Sequence, residues 1–186
     1  PDSVTSIANS AFSGCVNLTS ITIPDSVTKI VDYAFSGCSS LTSVTIPNSI
    51  TSIGSYAFRN CSSLGSVTIP DSVTSIGNSA FDGCKNLKKI YITDIGAWCN
   101  INNNGAFFNN AAKNLYLNGE LVTDLIIPDG ITKINDYAFE NIGSITSVVI
   151  PDTVTEIGYY AFGYCRNLAS ITIPDSVTSI EWSAFN

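Results

Sequence analysis

The sequence predicts a β-rich solenoid, a stack of short coils around one continuous core, and three observations carry that prediction. Proline recurs at Pro1, Pro24, Pro47 and Pro70 and again at Pro128, Pro151 and Pro174, an interval of 23 residues broken by one gap of 58. Aligned on proline, the repeats hold the same residue types in the same columns. Composition agrees: 12% of the 186 residues are charged, 45% are hydrophobic, and 25 Ser with 17 Thr supply an uncharged polar surface. A period of about 20 to 50 residues marks solenoids, in which each coil buries its apolar side against its neighbours alone.

One repeat, PDSVTKIVDYAFSGCSSLTSVTI from Pro24 to Ile46, shows the elements in order. Proline ends a strand, where its missing N–H costs no ladder bond, and the Asp after it is expected to accept amide protons in the turn. The fourth and seventh positions are always Val or Ile (Val27 and Ile30, Ile50 and Ile53), β-branched chemistry that predicts a short strand. Ala-Phe follows. Phe12, Phe35, Phe58, Phe81, Phe139, Phe162 and Phe185 share this column, which predicts one internal ring stack at about the 4.8 Å spacing of adjacent strands. The segment from Ala-Phe to Cys is too short for an independent helix and is expected to make a single 3₁₀ or α turn. A Leu-x-x-Ile-x-Ile stretch closes the repeat, its hydroxyl residues alternating with apolar ones as in a half-exposed strand.

The gap of 58 is one 23-residue repeat plus 35, so Thr93 to Ile127 reads as an irregular 35-residue repeat with 12 extra residues. Its Asn118-Gly119 pair, between NLYL and ELVT, predicts an inserted hairpin with a two-residue turn. On this count residues 1–186 form a single solenoid of about eight coils. Both ends are expected to be cut from a longer array, because no Met opens the chain and the last coil stops at Asn186 without a polar cap.

The string LTSVTIPNSITSIGSYAFRNC, Leu41 to Cys61, resembles the leucine-rich repeat of BspA-like (Treponema-type) bacterial surface proteins, and every regular repeat shares its pattern. AWCNI followed by NLYLNGELVTDLIIPDG is similar to an irregular unit of the same proteins. The resemblance implies a right-handed, curved leucine-rich-repeat solenoid of parallel strands, displayed outside the bacterial cell and used for adhesion or protein binding. It implies no catalysis.

The residues themselves exclude several functions. With a net charge of −7 and basic residues scattered singly apart from Lys88 and Lys89, the chain lacks the basic patch a polyanion requires. No apolar run reaches the roughly 18 to 20 residues that span a bilayer. There is no His, hence neither the commonest general base near neutral pH nor the commonest metal ligand. Cys15, Cys38, Cys61, Cys84 and Cys165 share one column that takes Ile142 equally well, so buried free thiols are preferred to disulfides or a metal site. Cys99 stands outside that column. Asp2, Asp25, Asp71, Asp129, Asp152 and Asp175, with Asn48, read as turn caps, since one carboxylate per coil cannot surround Ca²⁺. Glu120 and Asp124 are the one acidic pair near aromatic residues and are set aside as catalytic machinery. No catalytic residue, metal or cofactor is assigned.

Identity is concentrated on the outward positions of the longer strand. In the first three repeats these are bland: Ser20 and Thr22, Ser43 and Thr45, Ser66 and Thr68. The fourth and fifth repeats break the pattern, and Lys89, Tyr91, Tyr116, Asp124 and Ile126 are the candidate ligand-binding residues. Trp98, Phe107 and Phe108 either recognise a partner or plug the interrupted Phe stack, with the plug preferred for Trp98 and the Phe pair left open. A secondary aromatic surface, Tyr33, Tyr56, Tyr137, Tyr160 and Trp182, either covers the coils or stacks on sugars. The expected role is a non-enzymatic binding or adhesion segment, extracellular or on the cell surface, recognising a protein of a host or neighbouring cell. A glycan-binding surface and a passive stalk are the alternatives. Neither nucleic acid nor membrane insertion is expected, whereas end-to-end self-association through exposed apolar ends is.

Overall fold

A computed structural model describes residues 3–107 and 112–186. Phe108 lies outside the described residues, as does Asp2. In the regular repeats the longer strand comes from the Leu-x-x-Ile-x-Ile stretch and, from Lys29–Ile30 onward, a two-residue strand comes from the Val-Thr-x-Ile stretch, so two faces of parallel strands run along the molecule. The longer strands are Ser20–Thr22, Ser43–Thr45, Ser66–Ile69, Lys89–Ile92, Asn114–Leu117, Asp124–Ile126, Ser147–Val149 and Ser170–Thr172. Register follows the repeat: Ser20 lies opposite Ser43 and Ser147 opposite Ser170. Apolar residues of these strands point inward and hydroxyls outward, as in Ser43–Thr45, where Val44 alone is buried.

The Phe column forms the spine of the core. Successive rings from Phe12 through Phe35 and Phe58 to Phe81 stack 5.2 Å apart and nearly parallel. Phe139, Phe162 and Phe185 repeat the arrangement at 5.3 and 5.6 Å. Beside the rings, each buried Cys of the column donates its thiol proton to the Phe carbonyl of the preceding coil: Cys38 to Phe12 (3.1 Å), Cys61 to Phe35 (3.2 Å), Cys84 to Phe58 (3.1 Å) and Cys165 to Phe139 (3.1 Å). All six cysteines are free, and Cys15 alone is exposed.

The Ala-Phe segment turns by amide-to-carbonyl bonds three residues back, the 3₁₀ pattern, but only at every second residue. Ala34, Ser36 and Cys38 bond within the coil, while Tyr33, Phe35 and Gly37 donate to Ser55, Ala57 and Arg59 of the next one. A continuous helix would send all its amides along its own axis and leave the coils unstitched. Alternation is achieved by left-handed residues, Tyr33 at φ 57° and Gly37 at φ 77° in this coil.

The described Asp residues after proline do not form the turn caps expected of them. Asp25, Asp71, Asp129, Asp152 and Asp175 make no side-chain hydrogen bond. The turn closes through its own backbone, Val27 N–H to Pro24 O at 3.0 Å. The next residue does the linking: Ser49, Ser72 and Ser176 donate to the carbonyls of Val27, Ile50 and Val154 in the coil before, at 2.7 to 2.8 Å.

Candidate binding face

The irregular repeat interrupts both faces. After Lys89–Ile92 the chain turns into a five-residue helix, Ile95–Cys99, whose N-terminus is capped by Asp94 accepting from the Ala97 amide at 2.6 Å. Asn102–Asn103 then joins the shorter-strand sheet beside Ser75–Ile76. Phe107 extends the ring stack, 4.9 Å from Phe81 and parallel to it within 3°. Trp98 lies 6.3 Å beyond, and its indole N–H donates to the Ala138 carbonyl of the next coil at 2.7 Å. Both side chains are buried, so Trp98 and Phe107 bridge the interrupted stack and do not face a ligand.

On the shorter-strand side no backbone ladder joins Asn102–Asn103 to Lys133–Ile134. One backbone bond, Asn135 N–H to Cys99 O at 3.1 Å, and two side-chain amides cross the break instead: Asn103 donates to Tyr137 O at 3.2 Å and Asn135 to Ile101 O at 3.3 Å. The longer-strand side instead gains material. Among the described residues it has eight strands against seven shorter ones, because Asn114–Leu117 pairs parallel with Lys89–Ile92 and then reverses into Glu120–Leu121. The reversal uses Asn118 and Gly119, at φ 51° and 91°, the left-handed pair of a two-residue hairpin turn.

This geometry collects three of the five candidate residues. Tyr91 and Tyr116 are register partners with ring centroids 4.8 Å apart, and the Lys89 ammonium lies 5.9 Å above the Tyr116 ring, within cation–π distance. Leu121 lies opposite Tyr116 across the hairpin. Asp124 and Ile126 lie on a separate sheet, where Ile126 is opposite Val149. The Asp124 carboxylate accepts from Thr123 (3.2 Å) and from the Ser147 hydroxyl. A cavity of about 320 Å³ lies between the hairpin and that sheet, lined by Leu117, Glu120 and Leu121 on one side and Asp124 and Ile126 on the other; Lys89, Tyr91 and Tyr116 do not line it.

Two features escaped the sequence reading. The first is Leu121, 46% exposed, which joins the outward Ile126 and Val149 (66% and 56% exposed) in an aliphatic patch beside the tyrosines; those two strand positions were legible, but the face of Leu121 depends on hairpin register. The second is Lys113, fully buried, with its ammonium donating to Phe107 O at 3.3 Å. Burial holds its pKa down to about 8, with Glu140 opposing that shift.

The secondary aromatic surface divides into separate groups. Tyr33 and Tyr56 stack at 5.0 Å, and Tyr137 and Tyr160 at 5.7 Å with Tyr159 and Trp182 packed edgewise against Tyr160. Ser79 holds the same left-handed backbone position between the two pairs, so no continuous ring platform spans the molecule.

Parallel coils in 23-residue register around stacked Phe and Cys columns define a leucine-rich-repeat β-solenoid. The chain belongs to the family described as the BspA type leucine rich repeat region, whose model matches in six copies over residues 1–113 and 109–186. Among solved structures it is similar to a leucine rich cell surface protein from Faecalibacterium prausnitzii, with 29% identity and a TM-score of 0.50, covering 95% of this chain and 53% of that one. It is also similar to the leucine rich repeat protein of T. pallidum, at 26% identity and a TM-score of 0.48, covering 92% and 64%. The pneumococcal vaccine antigen PcpA matches at 20% identity and a TM-score of 0.47, covering 94% and 57%. The chain therefore spans between about half and two thirds of these relatives' length. No curated protein sequence matches it.

Proposed function

We propose that this chain is a non-enzymatic binding segment of a bacterial surface or secreted protein, and that it recognises a partner protein through the longer-strand face at the irregular repeat. The carrying observation is the Tyr91–Tyr116 ring pair with the Lys89 ammonium above it, continued by exposed Leu121, Ile126 and Val149. Aromatic rings and aliphatic side chains held on a rigid strand face have the composition of interface hot spots, and little ordering entropy is lost when they bind. The family membership and the description of the F. prausnitzii relative as a cell surface protein support the location. Recognition is assigned to the middle of the array because the outward positions of the first three coils are hydroxyls alone. Those coils favour a second role, that of a spacer carrying the recognition face.

The test is a surface-proteome pull-down and a glycan array run with the parent chain and a Tyr91→Ala/Tyr116→Ala variant. The proposal expects one protein partner retained by the parent and lost, at least ten-fold, by the variant. An undiminished partner would move the site elsewhere, and a glycan bound in place of any protein would overturn the partner class.

A further inference from the structure

Between the hairpin and the strand that follows it, the longer-strand face is not closed. Glu120–Leu121 is the outer strand of one four-stranded sheet and Asp124–Ile126 the outer strand of the next. Each therefore leaves one row of peptide groups without a strand partner. Val122 turns its amide toward the hairpin (Val122 N–H to Leu115 O, 2.9 Å), so the peptide groups of Leu121, one residue earlier, point away from it. On the other edge Ile127 N–H bonds to Val149 O at 3.0 Å and Thr123 O accepts from Thr146, so the intervening Asp124 and Ile126 peptide groups face back toward the hairpin. No backbone bond crosses from one edge to the other. The cavity of about 320 Å³ lies between these edges. Exposed strand edges are normally blunted or covered, because an unpaired row of N–H and C=O groups is a template for another strand.

We infer that this notch accepts an extended peptide segment of the partner, one that carries aliphatic side chains next to Lys or Arg and pairs as an added strand against Leu121 or against Asp124 and Ile126. Backbone pairing of this kind gives affinity, and the side-chain surroundings select the sequence. Leu121 and Ile126 supply aliphatic contact, and Ile95 and Leu117 line the same cavity. Glu120 and Asp124 place two carboxylates at its rim, on a chain whose net charge is −7. A basic, aliphatic strand complements both features, whereas an acidic one meets like charge. The inference rests on the protein-partner reading above and specifies the chemistry of that partner.

The probe is a fluorescein-labelled hexapeptide alternating lysine and valine, titrated against the chain at low salt by fluorescence anisotropy. Two controls are the same peptide with glutamate for lysine and the same peptide N-methylated at alternate amides. The expected result is at least ten-fold weaker binding of both controls, with hydrogen exchange at the Leu121, Asp124 and Ile126 amides slowed at saturation. Leu121→Pro removes a donor that faces away from the hairpin and leaves the hairpin's own bonds intact, so it should weaken the peptide while the Tyr91/Tyr116-dependent partner of the pull-down still binds, at reduced affinity. Equal binding of the N-methylated peptide would overturn strand pairing, and so would unchanged exchange at those three amides. Concentration-dependent dimers with the same amides protected would make the occupant a second copy and overturn the peptide assignment. Capture of a Tyr-dependent partner without peptide binding sinks this inference and spares the protein-partner reading. Peptide binding with the pairing signature but no captured partner supports the notch and sinks that reading.

Discussion

Serine and threonine make up nearly a quarter of the residues, and their place in the repeat explains why so few charges are needed. From composition they read as a solvating surface. Many of them also stitch one coil to the next: Thr51, Thr74, Thr155 and Thr178 donate to the Thr carbonyl 23 residues earlier at 3.1 to 3.3 Å, in parallel with the serine column after each Pro-Asp turn. The cysteine column was legible for a related reason, since a position that takes Ile142 has to be apolar. Burial pushes the Cys38 thiol up to about 11 and those of Cys99 and Cys165 up to about 12, so these sulfurs act as small interior groups with a weak donor. Lys113 was not legible, because Ala-Ala-Lys-Asn reads as a polar loop and its burial arises only from the way the irregular repeat docks on the next coil. It carries a pH prediction. The unfolded chain holds the Lys113 proton up to about 10.5 while the native chain releases it near 8, so between those values the unfolded state binds more protons and stability rises with pH. The buried thiols act in the opposite direction above pH 9, where the unfolded chain ionises first. Comparison with Lys113→Met cancels their contribution. In urea titrations at pH 7.5 and 9.5, the parent should gain about 2 kcal/mol relative to Lys113→Met over that interval; a constant difference would mean that the ammonium is not buried in solution.

At the scale of the element, the coil is a unit that no part of the chain can form alone. Its longer strand is three or four residues, its shorter strand two, and its turn alternates between bonding itself and bonding its neighbour. The glycine after the shorter strand reflects how closely coils approach, since a Cβ on Gly77 would come within 2.4 Å of the Ser55 amide nitrogen. The ring stack is where packing energy is concentrated. Phe58 is fully buried between Phe35 and Phe81, and Phe58→Ala should cost about 3 to 5 kcal/mol, read as a fall in the urea midpoint. A loss under about 1 kcal/mol would mean that the coils close over the vacancy. The regular strands could be read from the sequence because seven repeats place Val, Ile and Phe in fixed columns. The helix Ile95–Cys99 could not, because five residues carry less than two turns of periodicity. The turn expected after Ala-Phe was legible as a turn, but its bonding to the next coil depends on left-handed residues such as Tyr33 and Tyr56, which no propensity singles out.

Over the whole molecule, the array behaves as a rod whose two faces fall out of step in the middle. Four shorter strands precede the break and three follow it, and the Asn135 amide with the side chains of Asn103 and Asn135 holds that side together where the ladder stops. The longer-strand side is compensated by an extra strand and a hairpin. Lys89, Tyr91 and Tyr116 were legible as a departure from the hydroxyl pattern at outward positions, and pairing brings them together. Asp124 and Ile126 belong to the next sheet and reach that group only through Leu121 and the notch, an arrangement set by hairpin geometry and invisible to column alignment. The place where the repeat fails is thus the place where the surface becomes distinctive, and it is there that recognition is proposed to occur. Site-specific photo-crosslinking tests it most directly. Benzoylphenylalanine is placed at position 91 or, as a control on the same face, at position 22, and each chain is irradiated with intact host or neighbouring cells. One discrete crosslinked surface protein is expected from position 91 and none from position 22. Equal crosslinking from both positions, or crosslinking from position 22 alone, would contradict it.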